Sequence, residues 1–156
     1  MKLELDQKAP EFCLENAKQE SKCLSDFKGK WLVFYFYPKD NTPGCTTEAI
    51  EFTASLEVFK KEGAEVAGVS ADTCQSHQKF IDKHDLKIQL LSDTEKKTLT
   101  DYGVWQLKKM CGRESMGIVR STFLIDPEGV VRFIWKDVKV KGHVDEVLKK
   151  LVELKG

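Results

Sequence analysis

An α/β fold with a central mixed β-sheet and helices on both faces is predicted by three observations. Trp31 to Tyr37 (WLVFYFY) is an unbroken apolar and aromatic run, as expected of a strand buried on both faces. Strand-like and helical periods then alternate through the middle of the chain. Finally, Asp126-Pro127-Glu128-Gly129 is a turn sequence between two further strand-like segments, followed by an amphipathic helix.

The elements follow in order. Cys13 lies between Phe12 and Leu14 in an expected strand, and Cys23 precedes Leu24 and Ser25. Lys28-Gly29-Lys30 leads into the 31–37 strand, which Pro38 ends. From Pro43 to about Lys61, the residues Ala49, Phe52, Thr53, Leu56 and Phe59 recur at helical spacing, and Gly63 closes that helix. Glu65 to Val69 (EVAGV) reads as a strand. Asp72 or Thr73 can cap a helix carrying Phe80, Ile81 and His84. A short strand at Gln89 to Leu91, a short helix at Glu95 to Tyr102 and an irregular Gly-containing stretch up to Val119 come next. Ser121 to Ile125 and Val130 to Trp135 flank the turn, and Val144, Val147, Leu148, Leu151 and Val152 form the stripe of the last helix.

The length, 156 residues, suits one domain spanning 1–156 with a real core, and no linker or repeat divides it. Lys plus Arg and Asp plus Glu number 25 each, and this zero net charge argues against non-specific nucleic-acid binding. The N-terminal MKLELDQKAPEF lacks the apolar centre of a signal peptide, and WLVFYFY is far too short to span a bilayer. A soluble cytoplasmic protein with no nucleic-acid or membrane partner is expected. The five cysteines are odd in number and contain no C-x-x-C, which argues against a disulfide framework or a zinc finger. In a reducing compartment the expectation is five free thiols, with Cys13 and Cys23 as packing or edge residues. His77, His84 and His143 read as surface or helix-packing residues without a metal-ligand pattern.

Thr42-Pro43-Gly44-Cys45 has the spacing of a redox C-x-x-C whose first sulfur is replaced by a hydroxyl. It also reads as a helix start, with Thr42 as N-cap and Pro43 at the first helical position. Cys45 then falls in the first turn, where unpaired N–H groups and the helix dipole favour an anionic sulfur, the nucleophilic form. Gly44 removes a side chain beside that sulfur. The plain alternative is a small residue tolerated in a first turn. A lone thiolate cannot release a mixed-disulfide partner as a C-x-x-C pair does, but it can reduce a peroxide and become a sulfenic acid. Glu48 lies on the same helical face, and a carboxylate there is expected to sit in a hydrogen-bond network, in a supporting role, with a solvated position as the alternative.

The stretch YPKDNTPGCTTEA resembles the P-x-x-x-T-x-x-C active-site motif of the peroxiredoxins, with Pro38, Thr42 and Cys45 in place, and is similar to that of the Q-type or bacterioferritin comigratory protein branch. Ala9-Pro10-x-Phe12, VSADTCQSH (69–77) and RSTFLID (120–126) resemble further blocks of that family, in family order and spread over most of the chain. The resemblance implies a thioredoxin-like fold and a thiol-dependent peroxidase, an antioxidant oxidoreductase acting on hydrogen peroxide and organic hydroperoxides. It implies Cys45 as the peroxidatic cysteine and Arg120 as the arginine whose donors hold sulfur and peroxide. Read alone, Arg120 is a surface arginine opening a strand. Thr42 would cap the helix and hydrogen-bond the peroxide or thiolate, and Pro38 would shield the sulfur. No metal or other cofactor is implied; the partners would be a peroxide and a thioredoxin-type protein or small thiol, in a monomer or weak homodimer.

The usual resolving positions of the branch fall at Ile50 and Ile81, so neither carries a cysteine. Three routes stay open: an external thiol, favoured slightly, then Cys74, then Cys111. Cys74 lies two turns from Ile81, a displacement of about 10 Å, whereas Cys111 sits in the irregular KKMCGRE stretch, where loop motion could deliver it. The rival functions are a monothiol disulfide-exchange protein and a non-catalytic thioredoxin-fold chaperone or binding module.

Overall fold

In the computed structural model, which describes residues 3–156, the 31–37 run becomes a strand with every residue buried. In chain order the strands are β1 (Cys13–Asn16), β2 (Ser21–Cys23), β3 (Trp31–Phe36), β4 (Ala64–Ser70), β5 (Gln89–Ser92), β6 (Trp105–Met110), β7 (Arg113–Ile118), β8 (Ser121–Ile125) and β9 (Val131–Trp135). The helices are α1 (Pro43–Lys61), α2 (Cys74–His84), α3 (Lys97–Asp101) and α4 (His143–Lys155). Seven strands form one mixed sheet in the order β2-β1-β5-β4-β3-β8-β9. β3 pairs in parallel with β4 and antiparallel with β8, so the predicted α/β architecture is the observed one.

The alternation of β3 explains why both faces are covered. Val33, Tyr35 and Tyr37 pack with Phe52 and Phe59 of α1, Phe80 of α2 and Val147 and Leu151 of α4. Leu32, Phe34 and Phe36 pack on the opposite face with Phe12, Leu99, Tyr102 and Phe123. Each such side chain contributes roughly 1.5–3 kcal/mol by leaving water, which makes this strand the spine of the fold. The register Phe36↔Ser121 brings the start of β8, and Arg120 just before it, beside the end of β3 from which the chain enters α1.

Four expectations need correction. The stretch read as irregular is a regular hairpin, β6 against β7, with Met110↔Arg113 closing a two-residue turn. Cys111 (φ 52°) and Gly112 (φ 77°) occupy that turn, so Cys111 is an exposed hairpin tip rather than part of an unstructured loop. Its left-handed position usually takes Asn, Asp or Gly, and the strands carry no inward apolar alternation, so the hairpin left no signature. Val152, assigned to the apolar stripe of α4, is exposed, because it lies off the helix edge on which Val144, Val147 and Leu151 are buried and Leu148 and Leu154 pack beside them.

Cys13 and Cys23 are not separate packing residues but a disulfide. They stand directly opposite in the β1–β2 register, across a turn organised by Asn16, whose Oδ1 accepts from Lys18 N and Glu20 N at 3.0 Å each. Two of the three histidines are core residues. His77 is buried against Asp40 and Leu91, and His143 is buried with Nε2 at 2.8 Å from Thr122 Oγ1 and its ring edge-on to Phe52 and Trp135. Their partners are distant in sequence, which a helix-face reading cannot see. His84 is half-buried, edge-on to Phe80.

Burial holds the His143 imidazole down to about 4, while burial pushes the Glu48 carboxyl up to about 7 despite the guanidinium beside it. The two act on stability with opposite sign. Between about 6.5 and 4 the unfolded chain protonates His143 while the folded one does not, so stability falls as pH falls. Between about 4.5 and 7 the folded chain holds the Glu48 proton that the unfolded one has lost, so stability falls as pH rises. Relative to wild type, His143→Gln should therefore gain stability as pH drops from 6.5 to 4, and Glu48→Gln as pH rises from 4.5 to 7, each by up to about 3 kcal/mol. Melting temperatures from pH 4 to 8 check this; parallel curves for all three proteins would refute it.

Candidate active site

Pro43 fixes the backbone angle at the first position of α1, and Thr42 occupies the N-cap with extended backbone (φ −90°, ψ 152°). The Thr42 carbonyl accepts the first hydrogen bond of the helix, from Thr46 N at 2.9 Å. The Thr42 hydroxyl makes no capping bond and instead donates to Lys39 O at 2.8 Å. Its proton is committed, so toward an incoming molecule it presents lone pairs.

Cys45, in the first turn, is 1% exposed. Arg120 Nη2 donates to its Sγ at 3.2 Å, and Nη1 of the same guanidinium donates to Glu48 Oε1 at 2.6 Å. Glu48 is fully buried, and its Oε2 has no partner among the described residues. The planar fork thus links a sulfur and a carboxylate one helical turn apart, a geometry that lysine could not reproduce. Burial by itself would lower the Arg120 pKa, but Glu48 and Cys45 together raise it. Gly44 leaves room for the guanidinium as it stands: a Cβ there would lie 3.1 Å from Arg120 Nη2, a contact tight enough to make the arginine give by a few tenths of an ångström.

The loop between β3 and α1 is braced from behind. Tyr37 OH donates to Asp40 Oδ1 at 2.6 Å, Ser76 Oγ donates to Asp40 Oδ2 at 2.7 Å, and His77 Nδ1 lies 2.8 Å from that same oxygen. Burial pushes the Asp40 carboxyl up, but the His77, Tyr37 and Ser76 hydrogen bonds outweigh it and hold it below its ordinary range. Asp40 N in turn donates to Asp72 Oδ2 at 2.8 Å. Asp40, Asp72 and His77 converge as a metal site would, but these atoms are engaged with one another and with Tyr37, Ser70, Ser76 and Leu91. The cluster anchors the loop carrying Thr42 to α2 and β5.

A solvent-open recess of about 990 Å³ adjoins Arg120, with Pro38 on its wall, Tyr102, Val104 and Phe123 in its floor, and Lys108 and Lys136 in its rim. Lys108 is half-buried, and both burial and the nearby Arg120 lower its pKa. It escaped the sequence reading because it sits in the unrecognised hairpin, and only the fold over β8 brings it to Arg120.

The structure therefore brings Cys45, Arg120, Glu48 and Gly44 into one cluster, with Pro38 on the adjoining recess and Thr42 at the N-cap of the helix that carries Cys45. It places the remaining thiols elsewhere. Cys74 opens α2 with its Sγ 3.6 Å from Glu15 Oε2, on the β1 flank of the sheet, and Cys111 is at the hairpin tip. Ile50 is exposed on α1 and Ile81 packs on the core.

Comparison with known proteins is consistent over the whole chain. Residues 5–134 match the AhpC/TSA family. Peroxiredoxin Bcp of Bacillus subtilis is 51% identical over 154 residues, covering 99% of this chain and 98% of that protein. Peroxiredoxin Bcp of Escherichia coli is 38% identical over 145 residues, 93% of each chain. Among solved structures, a cysteine-to-serine mutant of Xylella fastidiosa PrxQ superposes with a TM-score of 0.95 at 38% identity, covering 100% of this chain and 99% of that one. The bacterioferritin comigratory protein of Xanthomonas campestris, studied for alkyl peroxide reduction, gives 0.89 at 42% identity over 93% and 92%. With that thioredoxin-like fold and these relatives, the chain belongs to the AhpC/TSA family, as a peroxiredoxin of the Q or Bcp branch.

Proposed function

We propose that this protein is a single-domain, cytoplasmic thiol peroxidase that reduces hydrogen peroxide and organic hydroperoxides at Cys45, with a thioredoxin-type protein or small thiol as reductant. The observation that carries the reading is the Arg120 guanidinium donating to Cys45 Sγ at 3.2 Å while Glu48 holds its other nitrogen. A charge-assisted donor on the sulfur favours the thiolate, and the same fork can follow the charge onto the departing oxygen.

In the proposed reaction the Cys45 thiolate attacks the outer peroxide oxygen. The S–O bond forms as the O–O bond breaks, sulfur is oxidised by two electrons, and the alkoxide leaves as alcohol or water after taking a proton. Thr42, with its proton on Lys39 O, accepts the hydrogen bond of the peroxide O–H and so aligns the neutral substrate rather than the thiolate. Pro38 narrows the approach, and Gly44 leaves room for Arg120. A first external thiol condenses with the sulfenic acid and releases water, and a second displaces the mixed disulfide. Cys74 or Cys111 would serve instead only after rearrangement, and the contacts of Cys74 with the β1 flank support the external route. A monomer or weak homodimer fits a site built wholly within one chain.

Mass mapping of reduced protein, quenched within seconds of one equivalent of hydrogen peroxide, tests the proposal. Oxidation confined to Cys45 is expected, as a sulfenic acid open to external thiols. A reduced Cys45 beside slowly oxidised Cys74 and Cys111 would overturn the reading in favour of a binding module.

A further inference from the structure

Three of the five cysteines gather at the β1–β2 edge of the sheet, outside the recess beside Arg120. β1 carries Cys13 and Glu15 on one face of the strand, about 7 Å apart at alternate positions. Glu15 Oε2 accepts from Cys74 Sγ at 3.6 Å, which draws the first residue of α2 against that face. Cys13, Glu15 and Cys74 accordingly line one open recess of about 510 Å³, bounded by Ser92 and Asp93 at the end of β5. Across the ribbon, Cys13 is bonded to Cys23. Cys13 is exposed, Cys23 is half-buried, and β2 is a three-residue strand at the edge of the sheet, so the disulfide is open to solvent on its Cys13 side.

We propose that Cys13, Cys23 and Cys74 form a second thiol–disulfide exchange site, separate from Cys45, in which Cys74 attacks the Cys13–Cys23 bond. The Cys74 thiolate forms a bond to Cys13 Sγ, the Cys13–Cys23 bond breaks, and Cys23 leaves as a thiolate that takes up a proton. The exchange involves no net oxidation. It moves the covalent staple from β1–β2 to β1–α2 and releases the edge strand. Cys13 is the sulfur attacked because it shares the recess with Cys74. A dithiol in solution can then reduce the remaining bond, being itself oxidised to a disulfide, and the recess gives such a reductant room to reach either isomer. In a reducing compartment, a disulfide exposed at Cys13 and set beside a third thiol suits a redox-responsive role rather than a permanent brace. The site is independent of the peroxidase reading, since it uses neither Cys45 nor Arg120.

The test uses the full chain carrying Cys45→Ser and Cys111→Ser, so that Cys13, Cys23 and Cys74 are the cysteines that remain. Adding Cys23→Ser and equilibrating with oxidised glutathione should give an intramolecular Cys13–Cys74 link by non-reducing peptide mapping. Adding Cys13→Ser instead should give at least about tenfold less Cys23–Cys74 link. In the parent, partial reduction followed by rapid alkylation should trap Cys13–Cys74 as a minor species with Cys23 alkylated. Glutathione adducts on Cys13 and Cys74 with no link between them, in a variant whose circular dichroism matches the parent, would overturn the proposal. Equal linking of Cys74 to Cys23 and to Cys13 would overturn the assigned direction of attack.

Discussion

Replacing Cys45 with Ser is expected to abolish peroxide turnover, a loss of about 10⁴-fold or more, because an alcohol at this position is neither ionised nor a comparable nucleophile. The fold should barely notice. The hydroxyl is smaller than the thiol, occupies the same buried site, and can accept the Arg120 hydrogen bond that Sγ accepts now. Stability within about 1 kcal/mol of wild type is expected. Stopped-flow peroxide consumption and a thermal melt on the same sample separate the two effects. Turnover persisting in this variant would move the chemistry to Cys74 or Cys111 and sink the site assignment.

Arg120→Ala should have the next largest effect, and it acts twice. Removing Nη2 takes the donor from the sulfur and from the transition-state oxygen, and loss of one such donor typically slows a reaction about 10²–10³-fold. Removing Nη1 leaves Glu48 fully buried with neither carboxylate oxygen paired, which costs about 3 kcal/mol. The double variant Arg120→Ala with Glu48→Gln separates these contributions. A neutral amide relieves the stranded charge, so stability should recover while the rate of Cys45 oxidation stays low. Recovery of both would show that Arg120 acts only by neutralising Glu48. Arg120→Lys should keep part of the stability but not the rate, since one ammonium cannot span 3.2 Å to sulfur and 2.6 Å to carboxylate in the fork geometry.

The tension at Glu48 is part of the design. Burial drives its carboxyl up to about 7, while the guanidinium at 2.6 Å pulls it the other way.

Local pattern carried much of this protein. The all-apolar 31–37 run read as a central strand, the 43–61 period as a helix behind Thr42-Pro43, and Asp126 to Gly129 as a hairpin turn, and each is what the fold shows. Those signals depend on neighbours in sequence, and they sufficed for the α/β class and for Cys45 in a helix first turn. What distance in the chain concealed was decided by tertiary structure. Arg120 meets Cys45 only because β8 pairs antiparallel with β3, and Gly44 proved to be clearance for that arginine. The Thr42 hydroxyl turned to Lys39 rather than to the helix. Lys108 reached the recess through a hairpin with no apolar alternation, and His77 and His143 found buried partners on other elements. Cys13 and Cys23 became a disulfide through β-register, which cysteine counting cannot supply. By itself the sequence determined which segments fold, and where one thiol would stand at a helix N-terminus. Only the packed sheet, by pairing strands far apart in sequence, decided which side chains that thiol and its fellow cysteines would meet.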